Sequence, residues 1–231
     1  MSLQKVRGTT WDDSGQARTT MTLPLTLTSL PLFPLGGVLF PGGRLPLRVF
    51  EVRYLDMVRK CARAGAPFGV VALSEGREVR QAGAPPEQFH AVGTLATIVE
   101  LQYPQAGLMH LLCQGMQRFR VRERRCLPHG LWVADVELVA QDLPVEVPQD
   151  LQAAAQALAQ LLQTLRTQHA DDPGLALPDS LHLQDCGWVA NRWCELLPLP
   201  TALRQQLMEL ENPLVRLELV ADVLERSGIG F

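Results

Sequence analysis

The stretch of residues 30–58, LPLFPLGGVLFPGGRLPLRVFEVRYLDMV, constrains the fold most strongly, because prolines and glycines divide it into short units. Proline donates no hydrogen bond to a strand ladder, so the first apolar unit, residues 30–35, is predicted to be an edge or first strand and not an interior one. The glycine pairs at 36–37 and 42–43 tolerate positive φ and predict two tight turns.

Two strand-type runs, residues 38–40 and 45–50, accompany these turns, and the period of the sequence then changes from strand to helix. The apolar residues now fall at spacings of three and four, which makes one helix face: Val52, Leu55, Val58 and Ala62. The segment 64–67, Ala-Gly-Ala-Pro, ends this helix. A unit this compact predicts that the helix packs on its own strands.

This stretch resembles the opening of the Lon protease amino-terminal domain family, whose stand-alone bacterial members carry LPLFPL, VLFPGG and LPL, followed by F-E-x-R-Y. In this sequence the last motif consists of Phe50, Glu51, Arg53 and Tyr54. Val52 departs from the proline that many relatives place in the first helical turn. The family's Gly-Thr-Leu-Ala and Gly-x-x-Arg-Phe-Arg motifs recur at 93–96 and 115–120. The resemblance implies a PUA-like β domain followed by helices.

The rest of the chain changes from strand to helical character at a linker. Residues 68–73 are predicted as a buried strand, 74–87 as a polar loop and 89–139 as successive antiparallel strands, with a turn at 115–116. The linker, residues 143–148, contains two prolines. The helical period beyond it predicts four helices, and the last one starts at Asn212 and Pro213, a cap followed by a first-turn proline.

Together with the resemblance, these patterns predict an α+β fold in three parts. Residues 1–29 form a loose N-terminal tail, residues 30–145 a PUA-like mixed β barrel with one packed helix, and residues 146–231 a C-terminal four-helix bundle. The tail carries no apolar run of the signal-peptide type, and Met21 is a second candidate for the natural start.

Composition excludes several classes of protein. The chain has 231 residues and a formal net charge of -3, which is not the basic balance of a dedicated nucleic-acid binder. No apolar run approaches the roughly 18 to 20 residues that a membrane helix needs. Five scattered cysteines are too few for a disulfide framework and indicate a reducing cytoplasm.

The sequence carries none of the common catalytic or metal-binding motifs. Gly-x-x-x-x-Gly-Lys-Ser/Thr, Gly-x-Ser-x-Gly, His-Glu-x-x-His and Cys-x-x-Cys are all absent. Lys60 is the only lysine after Lys5 and lies on the surface of a predicted helix, which argues against a Ser-Lys dyad. His182 and Cys186 lie one helical turn apart but match no common zinc spacing. We therefore predict no enzyme, no metal and no cofactor.

The opening stretch offers a binding surface instead. If Val38, Phe40 and Leu45 are partly exposed, they form an apolar groove between the β part and the helices, and such grooves bind extended peptides. An ion pair of Glu51 with Arg53 is favoured as structural over ligand-binding. The full set of candidate peptide-binding residues is Val38, Phe40, Leu45, Phe50, Glu51, Arg53 and Tyr54.

The resemblance points to the same function, since in Lon proteases the corresponding domain is implicated in substrate recognition and assembly. We predict a non-catalytic polypeptide-binding module, whose partner is an unfolded or extended polypeptide, or a protease or chaperone. A monomer or a weak homodimer is expected. The leucine-rich face over residues 151–165 is assigned to the inside of the bundle, with pairing of two chains as the alternative.

Two alternative functions stay open. Arginines alternate along a predicted strand, and such a basic ridge on a PUA-like sheet could track RNA phosphates. These arginines are Arg118, Arg120, Arg122 and Arg124. A solvated face paired with carboxylates explains the same pattern, and the negative net charge favours it. The second alternative, an enzyme acting on a small molecule in the interdomain cleft, requires a cluster of perturbed titratable groups.

Overall fold

The computed structural model describes residues 25–78, 86–168 and 176–228. Most of the predicted tail, including Met21, lies outside these described residues. Strand β1 already begins at Thr26, ahead of the predicted boundary at residue 30. The division into domains stays a prediction.

Among the described residues, six strands form one mixed sheet that closes on itself. Their bounds are β1 Thr26–Leu35, β2 Arg44–Val49, β3 Phe68–Glu75, β4 Gln88–Gln105, β5 Leu108–Cys126 and β6 Trp132–Leu138. The strand order is β2-β5-β4-β3-β1-β6, and β5 also pairs with β6. Five strands, β1 and β3 to β6, therefore form a closed ring, which we call the barrel. Strand β2 pairs with the first half of β5 and lies outside this ring. The α+β class is confirmed, whereas the likeness to PUA-like barrels stays a prediction.

Strand β1 lies inside the sheet, so the prediction that it cannot be an interior strand is wrong. Its first part, up to Pro31 opposite Val133, pairs antiparallel with β6. Its last part, from Leu32 opposite Gly69, pairs parallel with β3. Because the two registers do not overlap, each part of β1 has one partner strand, and a proline whose nitrogen faces the other side removes no ladder bond.

Strand β5 is continuous where the sequence predicts a turn at 115–116. Thr94 of β4 lies opposite Arg118, but Ala96 lies opposite Gly115, so β5 has one extra residue at this point. Such a β-bulge bends a strand without ending it. The glycine signal is therefore real, but it marks a bulge and not a turn.

The predicted strand at 38–40 does not form. These residues belong to the loop between β1 and β2, whose Phe40 is fully buried against helical side chains. The Thr94 hydroxyl donates to the Leu39 carbonyl at 2.6 Å and fixes this loop onto β4. A short apolar run does not distinguish a strand from a buried loop, because it spans too few periods.

Helix α1, Val52–Ala64, confirms the helix predicted after β2. Gly65 ends it in the left-handed conformation, at φ 58°. Leu55 and Val58 pack into the barrel core, and the Tyr54 ring stacks on Phe33 with the centroids 4.1 Å apart. The helix therefore packs on its own strands, as expected.

In the part of the chain that the structure describes, four α-helices follow β6: α2 Gln152–Gln168, α3 Cys186–Leu196, α4 Thr201–Glu209 and α5 Pro213–Arg226. Helix α5 begins as predicted, because Asn212 Oδ1 accepts hydrogen bonds from the N–H groups of Leu214 (3.0 Å) and Val215 (3.3 Å). Helix α3 packs against each of the other three. Within the described residues, no helix is long and apolar enough to span a membrane. The classification as a four-helix bundle stays a prediction.

The helices and the barrel share one apolar cluster. Phe40 of the β1–β2 loop and Val92 of β4 pack in the same cluster as Leu158 and Leu162 of α2. The centre of the leucine face on α2 is thus used inside the protein. Burial of this kind holds the helices on one side of the barrel.

A buried charged network adds to this junction. Arg118 of β5 and Arg216 of α5 are 3% and 1% exposed, and both pair with the carboxylate of Asp142. Arg118 also donates to the carbonyl oxygens of Met208 (3.0 Å) and Leu210 (2.8 Å). Because a buried guanidinium needs its partners in place, the network fixes the position of α4 and α5 against the barrel.

Candidate functional site

A cleft opens where strand β2 meets the helices. Its volume is about 440 Å³, within the range of small-ligand sites in proteins. The β1–β2 loop and β2 form one wall, and α2, α3, α4 and residues 176–178 form the other. The aliphatic side chains that line it are Leu35, Val38, Leu39, Leu45, Leu47, Leu162, Leu177 and Leu196. A groove thus lies between strand β2 and the helices, while its role as the predicted peptide-binding groove stays a prediction.

Strand β2 has an open edge beside this cleft, since it pairs with β5 alone among the described strands. Gly115 donates its N–H to the Gly43 carbonyl at 2.8 Å. Antiparallel pairing alternates, so Leu45 and Leu47 turn their backbone groups toward β5, and Pro46 turns outward. The missing N–H of Pro46 therefore falls on the open edge, where it costs no bond inside the sheet.

Two arginines form the polar floor of the cleft. Arg192 of α3 is 2% exposed, and its Nη2 donates to Glu195 Oε1 (2.7 Å) and to the Pro41 carbonyl (3.1 Å). Arg204 of α4 donates from Nη2 to the Leu197 carbonyl at 2.6 Å. Three further buried nitrogens, Nε and Nη1 of Arg192 and Nε of Arg204, have no hydrogen-bond partner in the described part of the chain.

Glu195 is the carboxylate at the centre of this floor, one helical turn after Arg192. Its side chain is 27% exposed. Burial raises the pKa of Glu195 to about 7, although the charges of Arg192 and Arg204 act in the opposite direction. Gly43 makes room for this carboxylate, because a Cβ at that position would overlap Glu195 Oε1.

The charged side chains at the rim of the cleft already have partners. Arg44 forms an ion pair with Asp179. Glu78 Oε1 accepts a hydrogen bond from the Gly36 N–H at 2.6 Å. At the floor, two arginines face one glutamate, and three of the arginine nitrogens have no hydrogen-bond partner among the described residues.

The predicted peptide-binding residues divide between the cleft and other places. Val38 and Leu45 line the cleft. Phe40 is fully buried behind it, so its predicted contact with a ligand needs correction: the ring fills the helical core instead. Phe50 is 54% exposed but is not part of the described lining.

Glu51, Arg53 and Tyr54 lie at the start of α1 and do not belong to the described lining either. Arg53 is 7% exposed and donates from Nη1 to the Gly130 carbonyl (2.9 Å) and Glu87 Oε1 (3.2 Å). It also pairs with Glu51, and its guanidinium lies 4.5 Å from the Tyr54 ring centroid. Burial raises the pKa of Tyr54, which is 3% exposed. Arg53 and Tyr54 are thus out of reach of a ligand and connect α1 to the barrel.

The predicted arginine ridge is not one surface. Arg118 is buried and paired with Asp142, so its place on an exposed ridge is wrong. A register shift between Val121 and Glu123 then interrupts the alternation further along β5. The sequence alone does not reveal the shift, because it arises from pairing with β6.

The other arginines of the ridge are exposed, and two of them have partners. Arg122 forms an ion pair with Glu137. Arg124 lies over the Phe89 ring, 4.6 Å from its centroid. Arg120 is exposed on the same strand. Arg122 therefore fits the interpretation of a solvated face whose arginines pair with carboxylates.

Sequence reasoning missed the helical half of the cleft, above all Arg192, Glu195 and Arg204. The α3 sequence, CGWVANRWCEL, is buried on almost all sides, so its polar residues do not mark an outer face. One signal was present: Arg192 and Glu195 are the only charged residues of this helix and lie three positions apart. A charged pair in an otherwise uncharged helix indicates a buried ion pair.

Comparison with known proteins places this fold in a family. Residues 29–226 match the family described as the ATP-dependent protease La (LON) substrate-binding domain. The crystal structure of the Lon N-terminal domain protein from Xanthomonas campestris is 34% identical, with a TM-score of 0.65, over 85% of this chain and 98% of that one. The N-terminal domain of the Mycobacterium avium complex Lon protease has a TM-score of 0.50 at 19% identity over 84% of this chain and 96% of that one, which shows a likeness of fold alone.

Related whole proteins are much longer than this chain. The Lon protease of Desulfovibrio desulfuricans is 28% identical over 93% of this chain and 24% of its own length. That of Anaeromyxobacter dehalogenans is 27% identical over 86% of this chain and 23% of its own length. The chain thus spans about a quarter of the length of these relatives. On the match over residues 29–226, this chain belongs to the family of the ATP-dependent protease La (LON) substrate-binding domain.

Proposed function

We propose that this chain is a non-catalytic polypeptide-binding module and that the cleft beside β2 is its binding site. One observation carries the proposal: in a chain of a substrate-binding family, an open strand edge borders an aliphatic cleft. The open edge offers backbone hydrogen bonds that an extended polypeptide can make, and the cleft accommodates apolar side chains. Because backbone hydrogen bonds do not depend on the side chains of the ligand, recognition of this kind has low sequence specificity and suits an unfolded polypeptide.

The chemistry of the lining supports a binding role over an enzymatic one. Besides aliphatic groups, its charged side chains are Arg44, Arg192, Arg204, Glu78 and Glu195. The two glutamates are engaged, one with a backbone N–H and the other with an arginine. Guanidinium groups and aliphatic walls hold and orient a ligand. An enzyme acting on a small molecule would need several titratable groups with shifted pKa values in the cleft. In the described lining, Glu195 alone has a pKa that is clearly raised.

The proposal also covers the fold class, the cellular location and the oligomeric state of the protein. We assign the closed mixed ring of strands to the PUA-like class and the four C-terminal helices to a bundle. All five cysteines are free thiols, which suits a reducing cytoplasm. A monomer or weak dimer would pass its bound chains to a separate protease or chaperone.

A fluorescence-anisotropy titration tests the proposal. The probe is a labelled, permanently unfolded polypeptide, titrated at low and high salt, with a labelled single-stranded RNA in parallel. We expect saturable polypeptide binding that persists at high salt, because apolar contacts are not screened. Binding of RNA alone, with an affinity that collapses in salt and depends on Arg120 and Arg122, would overturn the proposal in favour of the RNA alternative.

Two matched variants locate the site. Leu45→Asp places a charge in the cleft and is expected to weaken polypeptide binding by about tenfold or more. Val99→Asp makes the same kind of change at a 48% exposed position of β4 outside the described lining, and it should leave binding unchanged. Urea midpoints of both variants check that the fold is intact. Equal losses in the two variants would show that the cleft is not the site.

A further inference from the structure

The floor of the cleft contains hydrogen-bond donors that the protein itself does not use. A guanidinium carries five N–H donors. In Arg192, which is 2% exposed, one nitrogen makes both of its hydrogen bonds, while Nε and Nη1 have no partner among the described residues. Nε of Arg204 is also buried and has no hydrogen-bond partner among the described residues. Because a buried donor without a partner destabilises the protein, this arrangement points to a group that binds there.

The charge balance of the floor indicates the sign of that group. Arg192 and Arg204 carry two positive charges, and Glu195, which is paired with Arg192, supplies one negative charge when it is ionised. At the rim, Arg44 is paired with Asp179, whereas Glu78 keeps its negative charge, because the Gly36 N–H that binds it is neutral. Within the floor itself, two guanidinium groups face one carboxyl group, and guanidinium nitrogens only donate hydrogen bonds, which favours a ligand group that accepts hydrogen bonds and carries negative charge.

Two features of the cleft, its guanidinium groups and its aliphatic walls, favour a carboxylate on an apolar chain as that group. A carboxylate has the planar geometry that a guanidinium binds with two parallel hydrogen bonds. The walls are aliphatic, so the anionic group must be carried on a chain with apolar character. The Glu195 carboxylate already binds Arg192 through a single hydrogen bond, with its Oε1 at 2.7 Å from Nη2. This contact shows that Arg192 can donate a hydrogen bond to a carboxylate in the cleft.

We propose that Arg192 and Arg204 form a carboxylate-binding subsite for the C-terminal carboxylate or an acidic side chain of a bound polypeptide. The inference rests on the proposed polypeptide-binding function of the cleft. The incoming carboxylate replaces Glu195 on Arg192, and the unpartnered nitrogens of both arginines supply additional donors. Glu195 is partly exposed at 27% and can turn toward solvent when it is displaced. It acts as a built-in competitor that occupies the subsite of the empty protein.

The test uses four labelled versions of one extended, mainly apolar peptide. The parent has a free C-terminus and one glutamate, the second is amidated, the third carries glutamine in place of glutamate, and the fourth has both changes. We expect the fourth peptide to bind about tenfold or more weakly than the parent, as loss of a charged hydrogen-bonded pair implies. The second and third peptides show whether the terminus or the side chain occupies the subsite.

Two variants of the protein complete the test. Arg204→Gln, at a half-buried position, should reduce the affinity for the parent toward that for the neutral peptide. Glu195→Gln removes the competitor and should tighten binding of the parent more than that of the neutral peptide. These opposite directions distinguish a subsite from general damage to the fold, which would weaken both.

The outcomes separate this inference from the proposed function. If the four peptides bind equally and Leu45→Asp still weakens all of them, the polypeptide-binding cleft stands and the carboxylate subsite is wrong. If none of the peptides binds the unaltered protein, both are wrong. If Glu195→Gln weakens the parent, the competitor role is wrong and the subsite fails with it.

Discussion

Arg53 and Glu87 are both almost fully buried and bind each other at the start of α1, with 5% and 6% of their side chains exposed. Arg53→Ala removes the cation and leaves the Glu87 carboxylate buried beside Trp132. We expect the free energy of unfolding to fall by about 3 kcal/mol or more, since breaking a buried pair leaves an uncompensated charge. Urea denaturation of the variant measures this loss.

The same helix offers a matched control. Arg59 pairs with Asp56 on the solvent side, with side chains 45% and 60% exposed. Arg59→Ala should change the free energy of unfolding by less than about 0.5 kcal/mol, because exposed ion pairs contribute little. Similar losses for Arg53→Ala and Arg59→Ala would contradict the structural role assigned to Arg53.

Glu195 links stability to pH. Burial raises the pKa of its carboxyl from an ordinary value of 4.5 to about 7, so the folded state binds the proton more tightly than the unfolded state. The contribution of this group to stability is complete below about pH 4.5 and is lost as pH rises toward about 7. Urea midpoints between these values should fall with rising pH, and Glu195→Gln should remove that part of the slope. An unchanged slope in the variant would assign it to other groups.

At the residue scale the sequence predicts one side of the cleft and not the other. Val38 and Leu45, which line the cleft, are predicted from glycine and proline signals in one short stretch, and their role in binding stays a prediction. Arg192 and Arg204 reach the same cleft from helices that are distant in sequence, and no local pattern indicates this contact. Phe40 was assigned to the surface because a buried loop and a groove have the same apolar composition.

The start of α5 is held by a local cap. Asn212→Ala removes the acceptor for two backbone N–H groups and should lower the free energy of unfolding by about 1 kcal/mol. Asn212→Asp keeps an acceptor oxygen at the same place and should stay within a few tenths of a kcal/mol of the parent. Thermal unfolding of both variants measures the difference. Equal losses would show that the side-chain cap does not stabilise the helix.

Among the elements, helices were predicted better than strands, and the reason is the range of the signals. The ends of α1 and α5 are marked by Gly65 and Asn212, which act within one turn. The interior place of β1 and the continuity of β5 depend on partner strands far away in the chain. Proline and glycine therefore indicate where a strand departs from regular pairing. The neighbouring strands decide whether that departure is a turn, a bulge or a change of partner strand.

At the scale of the whole molecule, Phe40 joins the two parts of the chain. Its ring belongs to the barrel side in sequence and to the helical core in space. Phe40→Ala should lower the free energy of unfolding by about 3 to 5 kcal/mol, because it leaves a cavity at this junction. Chemical denaturation followed by tryptophan fluorescence measures the change.

A second phenylalanine nearby provides the comparison. Phe50 is 54% exposed, and Phe50→Ala should change the free energy of unfolding by less than about 0.5 kcal/mol. If both alanine variants were equally stable, the shared core would not hold the barrel and the helices together.

The closed ring of strands also imposes an order on events during synthesis. The first strand pairs with the last, from Thr26 opposite Glu137 to Pro31 opposite Val133. A ribosome delivers the first strand long before the last, whereas the neighbours β4 and β5 are made in succession and form contacts early. The ring therefore closes only after β6 has emerged. A nascent chain that stops before residue 132 keeps the apolar side of β1 without its final neighbour, which makes this protein, while it is being made, the kind of unfolded chain it is proposed to bind.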